Sequence, residues 1–170
     1  MQKLKHMVIV LLTILTCVGC DQATKATAKF YLPHSQAISY ADDLFRFQYT
    51  ENTGAFMSIG AHLPAHFREL IFTFGASLIV AVTLGLLLFK STLTTRTTIG
   101  LSLICGGGIG NLIDRIFYKG HVVDFLNIGI GSFRTGIFNI ADVTITVGTI
   151  LLFIAAREHE QTIGIKQRHS

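Results

Sequence analysis

Two aspartates stand where the surrounding sequence is apolar, and their type and setting define a chemistry. Asp142 follows Asn139 inside a run from Ile137 to Ala156 that is otherwise apolar, and Asp124 lies in Val122-Val123-Asp124-Phe125. An ionisable side chain at depth in a membrane carries a heavy desolvation cost, so it is a functional candidate by default. Two neighbouring carboxylates cannot both ionise cheaply. They share a proton, which leaves one base to activate water and one acid to polarise a carbonyl. That is aspartic-protease chemistry. The plainer reading of Asp142 is a polar residue hydrogen-bonded near a helix mouth, and the apolar setting of Asp124 in a separate segment weighs against it. Bringing the two together requires only that the segment holding Asp124 fold back over the mouth of the helix holding Asp142.

A second group of polar residues lies where the run Thr97 to Ile113 ends. Asn111 falls inside that run, four residues before Arg115, so both share one helix face with donors available for a peptide carbonyl. Asp114 and Arg115 have a simpler reading as interfacial anchors, since charged residues collect at helix ends. Other chemistries lack their patterns. There is no His-Glu-x-x-His, His62 and His66 flank Pro64, and no Gly-x-Ser-x-Gly is present, so neither a metal site nor a serine nucleophile is expected. Gly106-Gly107-Gly108-Ile109-Gly110 follows no strand pattern and lacks the Lys-Ser/Thr of a phosphate loop. Its small residues instead allow close helix approach in a bilayer. Cys17, Cys20 and Cys105 all lie in apolar stretches, which argues against a disulfide framework.

The elements that must position these residues follow from composition. Of 170 residues, 50% are hydrophobic and 14% charged, against roughly 25% charged in an ordinary soluble domain. With a mean hydropathy of +0.54, the chain is expected to be an α-helical integral membrane protein. Its net charge of +4 is not gathered into a basic patch, so nucleic acid is not an expected partner.

Four spans are expected, at about 7–28, 70–89, 97–113 and 137–156. The first is ambiguous, because Met7 to Cys20 alone resembles a secretory signal segment ending in a lipoprotein-like cysteine. Asp21 to Ala28 continues the helix pattern, however, and sets Asp21 and Lys25 at i,i+4, where they can pair. In the fourth span, a helix beginning at Ile137 would carry Asp142 about 7.5 Å along its length. Lys/Arg density favours both termini on the cytoplasmic side, with two longer segments outside. The alternation in Phe45 to Thr50 marks a half-buried strand, and Val122 to Ile128 is a second candidate. A small extracytoplasmic β-sheet built from the outer loops would then rest near the mouths of the third and fourth spans. No internal repeat or domain boundary is visible, so residues 1–170 are expected to form a single membrane-embedded domain.

The ordered motifs closely resemble the bacterial lipoprotein signal peptidases, or signal peptidase II. They are Asp21-Gln22-Ala23-Thr24-Lys25, Glu51-Asn52-Thr53-Gly54-Ala55-Phe56, Gly107-Gly108-Ile109-Gly110-Asn111-Leu112-Ile113-Asp114-Arg115, Val122-Val123-Asp124-Phe125 and Phe138-Asn139-Ile140-Ala141-Asp142. The resemblance covers nearly the whole chain. It implies that Asp124 and Asp142 form the catalytic pair, acting through water without a covalent intermediate, a metal or a cofactor. It also implies that Asn52, Gly54, Asn111, Arg115, Asn139 and Ala141 line the site, with Asp21, Lys25 and Asp114 supporting it. The implied substrate is a diacylglyceryl-modified prolipoprotein cut just before its lipidated cysteine, by a monomer among the lipids of the bacterial inner membrane, near the periplasmic face. One departure lies in Ala55-Phe56-Met57-Ser58, where many members have Ala-Ala-Phe-Ser. Two other readings remain at this point: a small proton-coupled transporter using Asp142, and a non-enzymatic lipoprotein anchored at Cys20.

Overall fold

The computed structural model describes residues 2–34, 36–54, 60, 62–90 and 92–168, so the divergent residues 55–58 lie outside the described part. Helix α1 (Gln2–Tyr31) leads to strands β1 (Ile38–Tyr40) and β2 (Phe45–Asn52). A short helix α2 (Ala65–Arg68) passes through a π-helical turn, Glu69–Phe74, into α3 (Gly75–Phe89). Helix α4 (Thr95–Phe117) is followed by strands β3 (Val122–Ile130) and β4 (Phe133–Arg134) and by the long helix α5 (Ile140–Arg168).

Among the described residues, four helical stretches are long and apolar enough to cross a membrane: Gln2–Tyr31, His66–Phe89, Thr95–Phe117 and Ile140–Glu158. Their outward faces carry side chains such as Leu12, Leu15, Leu78, Ile79 and Phe153, all well exposed. In water such a surface would be heavily unfavourable, whereas hydrocarbon solvates it. The buried positions of α1 are Val10, Cys17, Asp21, Lys25 and Ala28, one stripe of a 3.6-residue helix. The helix runs unbroken past Cys20, as the pattern over Asp21 to Ala28 predicts.

Helix α4 packs against α1, α3 and α5 and forms the centre of the bundle. Its inward face is small and polar, with Gly100, Ser102, Cys105, Gly106, Gly107 and Gly110 buried. The glycines are required by close approach. A Cβ on Gly106 would lie 2.7 Å from the Cys17 Cβ, and one on Gly110 would lie 2.6 Å from the Asp21 Oδ2. The packing role expected for this stretch is therefore what it performs.

The strands form one antiparallel sheet in the order β1-β2-β3-β4. Both expected strands are present, and each runs two residues further than its pattern indicated. The β2–β3 register slips between Phe47 and Thr50, after which Thr50 opposes Asp124 and Asn52 opposes Val122. A bulge of this kind re-aims side chains, here at the end of the strand that bears Asp124.

The expected helix boundaries shift, the first span widening from 7–28 to Gln2–Tyr31 and the third running on to Phe117. The spans read as beginning at 70 and 97 belong to helices that start four and two residues earlier. The fourth helix begins at Ile140 rather than Ile137, because Asn139 is its N-cap. The Asp142 backbone N–H donates to Asn139 Oδ1 at 2.9 Å, and the Asn139 N–H donates to Asp142 Oδ2 at 3.2 Å. This reciprocal arrangement is a capping box in which asparagine and aspartate take the usual roles. Asp142 therefore sits in the first turn, and Phe138 bridges to Leu126 as part of the sheet.

Candidate active site

The α5 cap, the end of β2, the start of β3 and the C-terminal parts of α1 and α4 converge on one buried polar cluster. Asp124 is 1% exposed and Asp142 is 8% exposed. Each of their four carboxylate oxygens accepts one N–H. Asp124 Oδ2 takes the Asn52 amide at 2.8 Å and Oδ1 takes the Asn139 amide at 2.7 Å. Asp142 Oδ1 takes the Asn111 amide at 3.0 Å, and its Oδ2 takes the backbone donor of the helix cap. Asn139 Nδ2 also lies 3.1 Å from Asn111 Oδ1, so one asparagine joins the surroundings of both carboxylates. Burial, and then the neighbouring Asp142 carboxylate, push Asp124 up to about 7, against the opposing pull of the Asn52 and Asn139 amides.

Beneath this layer is a buried ionic knot. The three donors of the Lys25 ammonium are all used: Asp21 Oδ2 at 2.7 Å, Asp114 Oδ2 at 3.0 Å and Asn111 Oδ1 at 2.9 Å. The remaining acceptors are filled by backbone and amide groups. Ala141 N donates to Asp21 Oδ1 at 2.9 Å, Val123 N to Asp114 Oδ2 at 3.0 Å, and Gln22 Nε2 to Asp114 Oδ1 at 3.0 Å. The Asp21–Lys25 pairing expected on one helix face thus exists, buried at the centre of the bundle. Asp114 is likewise buried within this knot rather than anchored at the interface.

Arg115 also turns inward. Its guanidinium donates to Gly54 O at 2.6 Å and Gly120 O at 2.9 Å, and it lies 5.6 Å from the centre of the Phe72 ring. Gly54 N donates to Asn52 Oδ1 at 2.8 Å, so Arg115, Gly54 and Asn52 form a chain of contacts to Asp124. An apolar groove of about 590 Å³ runs between α3, α4 and α5 to this point, with Phe72, Ile79, Ile145 and Ile150 along it and Asn111, Arg115 and Asp142 at its head.

All the residues singled out from the sequence therefore fall in one cluster. Sequence reasoning gave no role to Gln22, which bridges Asp21, Asp114 and the Gly110 carbonyl. The available signal was a neutral polar residue between two partners of a buried ion pair on one helix. It also missed the clamp on the sheet, where Arg134 bonds Asn127 Oδ1, the Asp43 carbonyl and the Gly129 carbonyl. No periodicity marks that contact, because its partners come from the turn before β2 and from strand β3.

Two carboxylates each held by neutral donors, one of them at the head of an apolar groove in a helix bundle, suit proteolysis of a membrane-borne peptide. A family model described as "Signal peptidase (SPase) II" matches residues 13–157. The lipoprotein signal peptidase of Sulfurihydrogenibium sp. (strain YO3AOP1) is 40% identical over 136 residues, covering 79% of this chain and 81% of that protein. The lipoprotein signal peptidase of Francisella tularensis subsp. novicida (strain U112) is 34% identical over 155 residues, covering 91% and 92%. A solved bacterial membrane enzyme shares the fold, with a TM-score of 0.75, 23% identity, and coverage of 93% and 90% of the two chains. Neither the transporter nor the lipoprotein reading draws support from these matches. The chain belongs to the signal peptidase II family: it is a multi-pass bacterial membrane protein and an aspartic peptidase that removes signal peptides from lipoproteins.

Proposed function

We propose that Asp124 and Asp142 are the catalytic pair and that they hold one proton between them. The observation that carries this reading is a pair of buried carboxylates, every oxygen held by an N–H donor and both bonded by Asn139, with Asp142 at the head of the apolar groove. One carboxylate takes a proton from a water molecule as its oxygen attacks the scissile carbonyl carbon. The other gives its proton to the carbonyl oxygen, forming a tetrahedral diol. Collapse of the diol returns a proton to the departing amine, and the pair is regenerated. Arg115 and Asn111, both on the groove wall, orient the substrate backbone, while Asn52, Gly54 and Asn139 fix the carboxylates. Asp21, Lys25, Asp114 and Ala141 hold those asparagines in place.

The apolar stretch of the signal peptide occupies the groove as an additional apolar segment, and binding energy along its length orients one peptide bond at the pair. The proposed substrate is a prolipoprotein whose cysteine already carries diacylglycerol, with the cut just before that cysteine. A lipidated cysteine keeps the scissile bond at the membrane surface, the depth of the first turn of α5. The working unit is a monomer among membrane lipids. Both termini lie in the cytoplasm and the pair near the outer face, as the density of Lys and Arg in the short connections suggests.

The test is cleavage of a prolipoprotein, with and without diacylglycerol, by the purified protein and by Asp124→Asn and Asp142→Asn. Cleavage of the lipidated form alone, lost in both variants while both remain folded, is the expected result. Turnover retained by either variant would sink the proposed pair.

A further inference from the structure

A second cavity, of about 460 Å³, shares Arg115 with the groove in its wall. Its wall is built from Arg68 and the π-helical turn, from the end of α4, and from the turn Lys119-Gly120-His121. Three cationic side chains, Arg68, Arg115 and Lys119, face it together with one carboxylate, Glu69, so the lining carries an excess of positive charge. Thr53 and Thr73 add hydroxyl groups.

Thr73 supplies an independent observation. Its hydroxyl is buried and has no hydrogen-bond partner among the described residues. Five other helical threonines, Thr24, Thr27, Thr83, Thr146 and Thr149, each donate to a carbonyl four residues earlier. Thr73 lies in the π-helical turn, where that local bond is not made, and π-turns recur at functional sites. A buried hydroxyl left without a partner is costly, and it marks a place where a ligand acceptor completes the structure.

The donor set of guanidinium, ammonium and hydroxyl groups suits a phosphate oxyanion. The surroundings favour phosphate carried by a lipid. Ile116 lines the cavity and is largely exposed, as are its neighbour Phe117 and, beside Glu69 and Thr73, Leu70 and Phe74. These apolar side chains project from membrane-crossing helices next to a cationic opening, so acyl chains would cover them while the headgroup filled the cavity. We propose that the cavity binds the phosphate of an anionic phospholipid, separately from the substrate groove. The bound headgroup would brace the π-turn and the end of α4, the two elements that meet at Arg115.

The experiment uses the full chain, delipidated in detergent and offered equal amounts of phosphatidylglycerol and phosphatidylcholine with identical acyl chains, with bound lipid read by native mass spectrometry. One phosphatidylglycerol per chain should be retained in preference to phosphatidylcholine. Lys119 has a φ of 52°, a conformation asparagine tolerates, so Lys119→Asn removes the charge while keeping the turn. It should weaken phosphatidylglycerol retention about fivefold, the effect of one cation near a headgroup. Thr73→Val, nearly the same shape, should also weaken it without lowering the melting temperature. Equal retention of the two lipids, or phosphatidylglycerol retention unchanged in both variants, would overturn the proposal. Displacement of the lipid by millimolar inorganic phosphate would reassign the site to a free anion. Equal lipid retention combined with a preference for substrates acidic after the cut, erased by Lys119→Asn, would give the cavity to the substrate chain.

Discussion

Removing the ammonium of Lys25 should be among the most damaging single changes in the bundle. The Lys25 side chain is 4% exposed, and its partners Asp21 and Asp114 are 0% and 1% exposed. Lys25→Met keeps length and apolar volume but leaves two buried carboxylates facing each other without a cation. Breaking a buried pair from one side costs roughly 3–5 kcal/mol. For a chain of this size that corresponds to a fall of roughly 6–20 °C in melting temperature. Turnover should fall as well, measured well below the new midpoint, because Asn111 loses the donor that fixes its amide toward Asp142. That loss should appear in kcat more than in KM, since Lys25 does not line the groove. Adding Asp21→Asn to Lys25→Met should restore part of the stability, because one stranded charge is removed and the carbonyl of the introduced amide can still accept from Ala141 N. The assay is thermal unfolding in detergent for the wild type, each single variant and the double variant. A Lys25→Met protein within about 1 kcal/mol of wild type, or full additivity in the cycle, would refute the buried-knot argument.

Three further outcomes follow from the geometry. Asp124 keeps its proton up to about pH 7 when folded but releases it near 3.8 when unfolded, so the native state binds more protons between those values and stability falls as pH rises across that window. Melting temperature should therefore decline from about pH 5 to about pH 7.5, less steeply in Asp124→Asn, and turnover should fall as the shared proton is lost above about 7; a flat stability profile would contradict this. Gly110→Ala should destabilise by roughly 1–3 kcal/mol through overpacking against Asp21, while Gly19→Ala, which meets nothing within 4 Å, should be close to neutral in the same thermal assay. Asn139→Ala removes a helix cap worth about 0.5–2 kcal/mol and one donor to Asp124; it should lower turnover by more than its loss of stability explains, whereas equal losses would make Asn139 only a cap.

The parts of the fold that hydropathy controls were legible in the sequence. A chain with charge excluded from long runs must span, and the alternation over Phe45 to Thr50 has no other economical use than a half-buried strand. The start of α5 was not legible from hydropathy, because Ile137 and Phe138 are as apolar in a loop packed on the sheet as they would be in a helix. The cap at Asn139 was the available sign, but it required treating an asparagine inside an apolar run as a boundary. Within the candidate site, residue types marked the two carboxylates and spacing marked Asn111 with Arg115. The role of Asp114 was hidden, since a charge at a helix end looks the same whether it faces headgroups or turns inward to a lysine on another helix. Gln22 and the Arg134 clamp depend on which elements meet in space, and one sequence carries no period that reports it.

The choice of asparagine around the proposed pair has a physical reason. A buried carboxylate needs its lone pairs filled, and a cation would fill them most strongly, but direct ion pairing would also fix the carboxylate in its charged form. A pair that must exchange a proton at each half of the reaction cannot be held that way. Neutral amides satisfy the oxygens while allowing either protonation state, and side-chain amides also carry an acceptor through which they can be oriented. Here the ammonium of Lys25 bonds Asn111 Oδ1, and the amide nitrogen of that same side chain bonds Asp142. The guanidinium of Arg115 is similarly satisfied by the Gly54 and Gly120 carbonyls rather than by a carboxylate of the pair. Both nearby cations thus shape the field while leaving the proton free to move. Replacing Asn111 with lysine would place the cation directly on Asp142, and the expected result is a folded protein that has lost turnover across the whole pH range; activity merely shifted to higher pH would mean that the pair tolerates direct ion pairing and that the amides serve geometry alone.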